Sequence, residues 1–188
     1  MESLRLFNHA HDQLARGQVQ DAIDTLANLL GSDPEHAPAH ALLAICLVRR
    51  KRLHAARLEA ERSLELDPEG VFPHLAAAAV AGADRRFPVA EGHLLTARAL
   101  DPGSVDVEIQ LARLYHFWGK STQAAEHAAH AMTLAPDEPD ALALSGEIAF
   151  AGGDFFSQSL PCADVIVMGH VLHDWNLEEK KVLVAKAH

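Results

Sequence analysis

Aromatic residues are scarce in this chain of 188 residues, at 5%. That argues against a β-sandwich, whose strands draw on aromatic and β-branched side chains. Ala and Leu recur throughout instead, which favours packed helices. Cysteine is almost absent. Cys46 and Cys162 stand far apart and without metal-ligand spacing, so no disulfide framework can be read and a reducing, cytoplasmic setting is the default expectation. Positive charge is also in short supply: 16 Lys and Arg against 26 Asp and Glu leave a formal net charge of −10. Such a chain offers no footprint for nucleic acid and matches an anionic membrane surface poorly. The local exception, Arg49, Arg50, Lys51 and Arg52, reads as a solvated helix end with cations near the negative pole of the dipole. No apolar run approaches the ~20 residues of a membrane helix, and Met1 to Phe7 lacks the apolar core of a signal peptide.

What is abundant is repetition. Pro34, Pro68, Pro102 and Pro136 are spaced by 34 residues, and so are Ala22, Ala56, Ala90 and Ala124. Asp precedes the first three prolines and Ala135 the fourth. A 34-residue period points to a helix-turn-helix unit. The proline cannot continue a helix and therefore punctuates each unit. The alanine permits two helices to cross closely, and a second small set, Ala10, Ala44, Ala78 and Ala112, recurs on the first helix facing that crossing.

In these residues the chain resembles the tetratricopeptide-repeat (TPR) family. The resemblance covers about four-fifths of the chain and sets the units at 3–36, 37–70, 71–104 and 105–138, with a partial fifth at 139–151. The expected fold is all-α: a right-handed TPR superhelix of four helix-turn-helix repeats plus the partial fifth, domain 1–151, followed by a short mixed α/β appendage, 152–188. Gly17 and Gly119 fall at the turn of units one and four, and Arg52–His54 and Phe87–Pro88 are expected to do that work in units two and three. The family's large residue at the fourth position is missing, replaced by Leu6, His40, His74 and Glu108.

Stacked repeats present a concave surface lined by their first helices. Carried over by resemblance, the ligand-facing positions are Leu4, Phe7, His11 and Leu14, then Ala41, Ile45, Val48 and Arg49, then Phe72, Leu75 and Ala79. Ile109, Arg113, His116 and Phe117 follow, with Glu147 and Phe150 in the partial unit. This face is unusually apolar for a surface meeting water, which commonly marks an interaction site. Only Arg49 and Arg113 could serve the carboxylate clamp of TPR co-chaperones, and no matching Asn accompanies them, so that subtype is not expected. The partner is a protein or peptide segment, with the chain's own tail or a second copy as alternative occupants.

Thirteen histidines invite a metal reading. Zinc, however, draws three or four ligands in fixed geometry, and neither HExxH nor CxxC occurs. His40 and His74 share one repeat position, which fits packing, and no metal is expected.

Past Ala151 the period fails. Gly153-Asp154-Phe155-Phe156, the acidic strand start Ala163-Asp164 and His173-Asp174-Trp175 make the tail resemble a fragment of an S-adenosylmethionine-dependent small-molecule O-methyltransferase. The apolar run Val165–Met168 reads as a buried strand, and Asn176 with Glu179 as the cap of a final helix. The resemblance implies that Asp154 and Phe155 lie by the cofactor's adenine end and that His173, beside Asp174, is the general base. The family's glycine-rich cofactor loop would belong upstream, where the sequence is repeat. A lone strand cannot form the crevice at which parallel strand ends meet. The expectation is therefore a non-enzymatic, cofactor-free scaffold whose tail caps the last helix through Leu177, Val182, Leu183 and Ala185. A truncated or fused TPR-containing methyltransferase is the alternative.

Overall fold

The computed structural model describes residues 2–152. Among them every regular element is helical: α1 (Glu2–Ala15), α2 (Val19–Ser32), α3 (Ala37–Arg49), α4 (Leu53–Leu66), α5 (Val71–Ala83), α6 (Phe87–Leu100), α7 (Val105–Trp118), α8 (Ser121–Leu134) and α9 (Pro139–Gly152). The expected appendage beyond Gly152 lies outside the described residues.

Two local rules set the helix ends. A residue before proline is driven out of the α region by the ring's Cδ. Accordingly Asp33, Asp67 and Asp101, and Ala135 in the last hairpin, sit at φ near −140° and terminate α2, α4, α6 and α8. The turns inside the hairpins are left-handed at Gly17 (φ 77°), Lys51 (φ 58°), Arg85 (φ 57°) and Gly119 (φ 80°). Glycine adopts that conformation without steric cost, whereas Lys51 and Arg85 each carry about 1 kcal/mol of strain. The turns of the middle hairpins thus fall just before the expected Arg52–His54 and Phe87–Pro88. Pro88 lies in the first turn of α6, where a missing N–H costs nothing because that donor has no intrahelical partner.

The recurrent alanines are the crossing points. Ala22, Ala56, Ala90 and Ala124 are fully buried, as are Ala10, Ala44 and Ala112, with Ala78 nearly so. Each odd-numbered helix packs on its even-numbered partner and on the next hairpin. Successive odd helices also touch one another, and no comparable packing joins successive even helices. The odd helices therefore crowd one face of the array. Their buried side chains form two clusters, one spanning α1–α5 and the other α5–α9. Helix α5 serves both, giving Ala76, Ala77 and Val80 to the first and Ala78 and Ala81 to the second.

The fourth position, apparently deprived of its large residue, proves to be a polar pairing point. His40 meets Glu59 at 2.6 Å and His74 meets His93 at 3.2 Å, while Glu108 meets His127 at 2.6 Å, each across 19 residues. The Nε2–H groups of His40 and His74 also donate to the carbonyls of Pro34 and Pro68, both at 3.0 Å. These histidines thus tie α3 and α5 to their partners and to the preceding proline turns. Glu108 is the extreme case, with 1% of its surface exposed. A buried carboxylate is tolerable only with partners; here His127 bonds Oε2, while Oε1 has no hydrogen bond among the described residues and only His130 Nδ1 nearby, at 3.3 Å.

Candidate partner-binding face

The crowded face of the odd helices holds the residues singled out as ligand-facing, and the structure sorts them into three groups. The first is core. Leu14 is 6% exposed and Ile109 3%, and Ala41 is wholly buried. These side chains pack inward and are not free to meet a partner.

The second group is engaged within the array. Phe7 of α1 and Phe72 of α5 meet edge to face with ring centroids 6.3 Å apart, and Phe7 also lies 5.7 Å from His36. Edge-to-face geometry places a positive ring edge on a negative face, so the pair stabilises this corner of the face. Ile45 and Val48 are half-buried against the same cluster. The guanidinium of Arg49 donates to the Leu14 carbonyl at 3.2 Å. That carbonyl, in the last turn of α1, already accepts from the Gly17 N–H at 3.0 Å, so Arg49 is a second donor that links the first two hairpins.

The third group surrounds a cleft. Between α5 and α7 the packing loosens, leaving a cavity of about 520 Å³ lined by Leu75, Ala79, Arg113 and Phe117 among the expected residues. Phe117 is 73% exposed at its mouth, and half-buried His116 stands 5.7 Å from that ring. His11 is exposed on α1, away from the cleft lining. The other lining residues lay outside the expected ligand-facing set, Gly82, Ala83, Arg85, Gln110 and Leu114 among them. Repeat register held the signal. The positions filled by Ile45, Val48 and Arg49 in the second unit carry Ala79, Gly82 and Ala83 in the third. Small side chains at all three add to the open space between α5 and α7.

A cluster of aromatic and polar contacts ties α6 to α7 beside the cleft. Phe87 of α6 stacks on Trp118 at the end of α7, centroids 5.7 Å apart. The Tyr115 hydroxyl donates to Glu91 at 2.7 Å, and Lys120 lies 3.4 Å over the Trp118 ring, a cation–π contact. Burial and the Glu91 carboxylate push the Tyr115 phenol up to about 12, so it stays a hydrogen-bond donor. Elsewhere, burial raises the Cys46 thiol to about 11, which makes it an inert core group. Burial, then His74 and Arg86, lower His93 below the usual imidazole value. Among the described residues no group of three or more His, Cys, Asp or Glu could hold a metal ion, and no helix is long and apolar enough to cross a membrane. Asp154, Phe155, His173 and Asp174 lie outside the described residues.

Comparison with known proteins agrees with both halves of the sequence reading. Residues 7–71 match the tetratricopeptide-repeat family and residues 127–188 the O-methyltransferase domain. The second match begins within α8. The chain is similar in structure to a thermophilic TPR protein from Thermus thermophilus, with a TM-score of 0.69 and 24% identity over 77% of this chain and 80% of that one. A TPR protein from Parabacteroides merdae gives 0.69 and 18% over 97% and 70%, and PilF of Pseudomonas aeruginosa 0.65 and 21% over 81% and 70%. At such identities the likeness establishes the fold and nothing finer. In sequence, 47 residues are 45% identical to the tetracenomycin polyketide synthesis 8-O-methyl transferase TcmO of Streptomyces glaucescens. A stretch of 45 residues is 47% identical to the N,N-dimethyltransferase OxyT of Streptomyces rimosus. The chain spans 14% and 13% of the length of these two relatives. The protein thus joins a TPR-type helical array to a methyltransferase-like segment.

Proposed function

We propose that this protein is an interaction scaffold that takes a protein or peptide segment on the face of its odd-numbered helices, and that binding rather than catalysis is the work of its helical array. The observation that carries the reading is Phe117, an aromatic ring 73% exposed at the mouth of an apolar cleft. Rings left in water beside a preformed cavity gain most from a partner that covers them. Residues Leu75, Arg113 and His116 continue the same surface, whereas Phe7, Phe72 and Arg49 shape it through contacts of their own. The test is selection of binders from a random peptide library on the full chain, followed by titration. Phe117→Ala is expected to weaken a selected peptide by ~10-fold or more. Unchanged affinity for every selected peptide would remove the α5–α7 end of this face from the binding site. Sedimentation velocity run alongside distinguishes a foreign segment from a second copy of the chain.

A second reading rests on the match of residues 127–188 to the O-methyltransferase domain. On it, the chain is part of a TPR-containing methyltransferase in which S-adenosylmethionine would donate the methyl group. Asp154 and Phe155 would then hold its adenosyl end, and His173, beside Asp174, would take the proton from a substrate hydroxyl. Calorimetric titration of the chain with S-adenosylmethionine separates the readings. Stoichiometric heat supports the enzyme, and a flat trace leaves the scaffold as the working function.

A further inference from the structure

The cleft between α5 and α7 has a composition at odds with the rest of the molecule. The chain carries 26 acidic residues against 16 basic ones, yet among the described residues no Asp, Glu or His lines this cavity, while Arg85 and Arg113 both do. Its walls are otherwise apolar, with Leu75, Ala79, Leu114 and Phe117 foremost. At about 520 Å³ it falls within the range of preformed ligand pockets. The two charges are available. Arg85 is exposed. Arg113 has an ion partner in Asp140 at 3.4 Å, with side chains 41% and 66% exposed. A water-exposed pair of that kind holds its members weakly, and a guanidinium keeps further N–H donors free for a second acceptor.

We infer that the α5–α7 cleft receives one bulky apolar side chain of a partner peptide that carries a carboxylate directly beside it. The apolar group packs on Leu75, Ala79 and Leu114 under the Phe117 ring, and the carboxylate meets Arg113 and Arg85. This inference rests on the scaffold reading and gives it a sequence preference: a large hydrophobe flanked by Asp or Glu. The physical division of labour is ordinary. The buried ring or alkyl group supplies affinity through the area it loses to water. The paired charges supply orientation and reject cationic segments, since a Lys or Arg brought to this mouth would face two guanidinium groups.

The experiment uses the full chain and three short fluorescein-labelled peptides read by anisotropy. One has a central tryptophan between two glutamates, one has lysines in place of the glutamates, and one has alanine in place of the tryptophan. The first is expected to bind at least ~10-fold tighter than either of the others. Ala79→Trp, which fills the cleft from within, is expected to abolish the difference. Phe117→Ala, an exposed change that leaves the core alone, checks the same point should Ala79→Trp disturb folding. In the double variant Arg85→Gln with Arg113→Gln, the glutamate-over-lysine preference is expected to shrink to within ~2-fold while the tryptophan still contributes. Equal binding of the three peptides, or a preference that survives the double variant, overturns the inference. Occupancy by the chain's own acidic-flanked run also overturns it, and would show as tighter peptide binding in Asp164→Lys. So would dimerisation lost on Ala79→Trp. Library-selected peptides that ignore the cleft variants but weaken with His11→Glu would leave the scaffold standing and this inference fallen. A library that yields no binders at all removes both.

Discussion

The junction between α3 and α5 and the junction between α5 and α7 occupy equivalent places in the repeat and have opposite character. At the first, the odd helices pack closely and their buried side chains share one cluster. At the second they barely touch, and a cavity remains. The helices have nearly the same length and start at the same phase of the period. One difference is side-chain volume at three positions, Ile45, Val48 and Arg49 on one side and Ala79, Gly82 and Ala83 on the other. It does not act alone, since α7 and α9 also touch only lightly although α7 carries Arg113, His116 and Phe117 there. A repeat therefore fixes where helices run, while the residues that vary within it decide whether neighbours close or leave room for a guest.

The largest expected effect breaks the comparison at its packed end. Leu42→Ala, at a side chain almost fully buried in the α1–α5 cluster, should cost about 3 kcal/mol of stability through lost transfer energy and a residual cavity. Leu75→Ala, at the open cleft, should cost about 1 kcal/mol, since that side chain is only partly withdrawn from water. Urea unfolding of both variants measures the contrast, and equal losses would mean that the cleft is closed in solution.

A similar magnitude is expected for His127→Ala, which strips the buried Glu108 carboxylate of its 2.6 Å partner. Breaking such a pair typically costs about 3 kcal/mol. The matching change in the third hairpin, His93→Ala, removes one member of a half-buried histidine pair and should cost about 1 kcal/mol.

A gain is expected at the cleft itself. A Cβ built on Gly82 meets only Leu114 Cδ1, at 3.9 Å, so Gly82→Ala has room and removes the extra backbone freedom of a glycine in the last turn of α5. It should stabilise the chain by about 0.5 kcal/mol. Destabilisation would show that the cleft needs that glycine for a movement the static packing does not reveal.

The smallest effect is pH dependence in the third hairpin. His93 titrates below the unfolded imidazole value because of burial, then His74 and Arg86. Between the unfolded pKa of about 6.5 and the lower folded value, the unfolded chain binds the proton first, so stability falls as pH falls. Melting temperatures at about pH 7.5 and about pH 5.5 should drop less in His93→Gln than in the unsubstituted protein. Equal drops would assign the acid sensitivity to other histidines.

Much of this was legible beforehand, and for a physical reason. Pro34, Pro68, Pro102 and Pro136 act on their immediate neighbours through sterics that need no tertiary context, so the helix ends followed from the period. The alanines declared the crossings because only a small side chain fits there. The turns of the middle hairpins were read slightly too far along the chain. Lys51 and Arg85 adopt a left-handed conformation that their residue types do not advertise. His40 and His74 were read as packing residues and prove to be hydrogen-bonded ones; their partners Glu59 and His93, like His127 opposite Glu108, sit a fixed 19 residues on and were visible only by comparing two columns of the repeat at once. Within the ligand-facing set, sequence position could not tell Ile109 from Phe117. Both lie on α7, one 3% and the other 73% exposed, because rotation of a helix against its neighbours is set by packing.

The sequence by itself determined the period, the helical hairpin, the excess of negative charge and the methyltransferase-like motifs of the tail. These are local or compositional properties, and each is written in the identity and spacing of residues. Only the tertiary structure decided that the array packs tightly between α3 and α5 yet opens between α5 and α7, and that Phe7 and Phe72 satisfy each other while Phe117 is left in water. Only it brought Arg85 and Arg113 to an apolar cleft with no acid in its lining among the described residues. Those outcomes depend on how volumes from different helices fit together in space, a sum over neighbours that no single repeat contains.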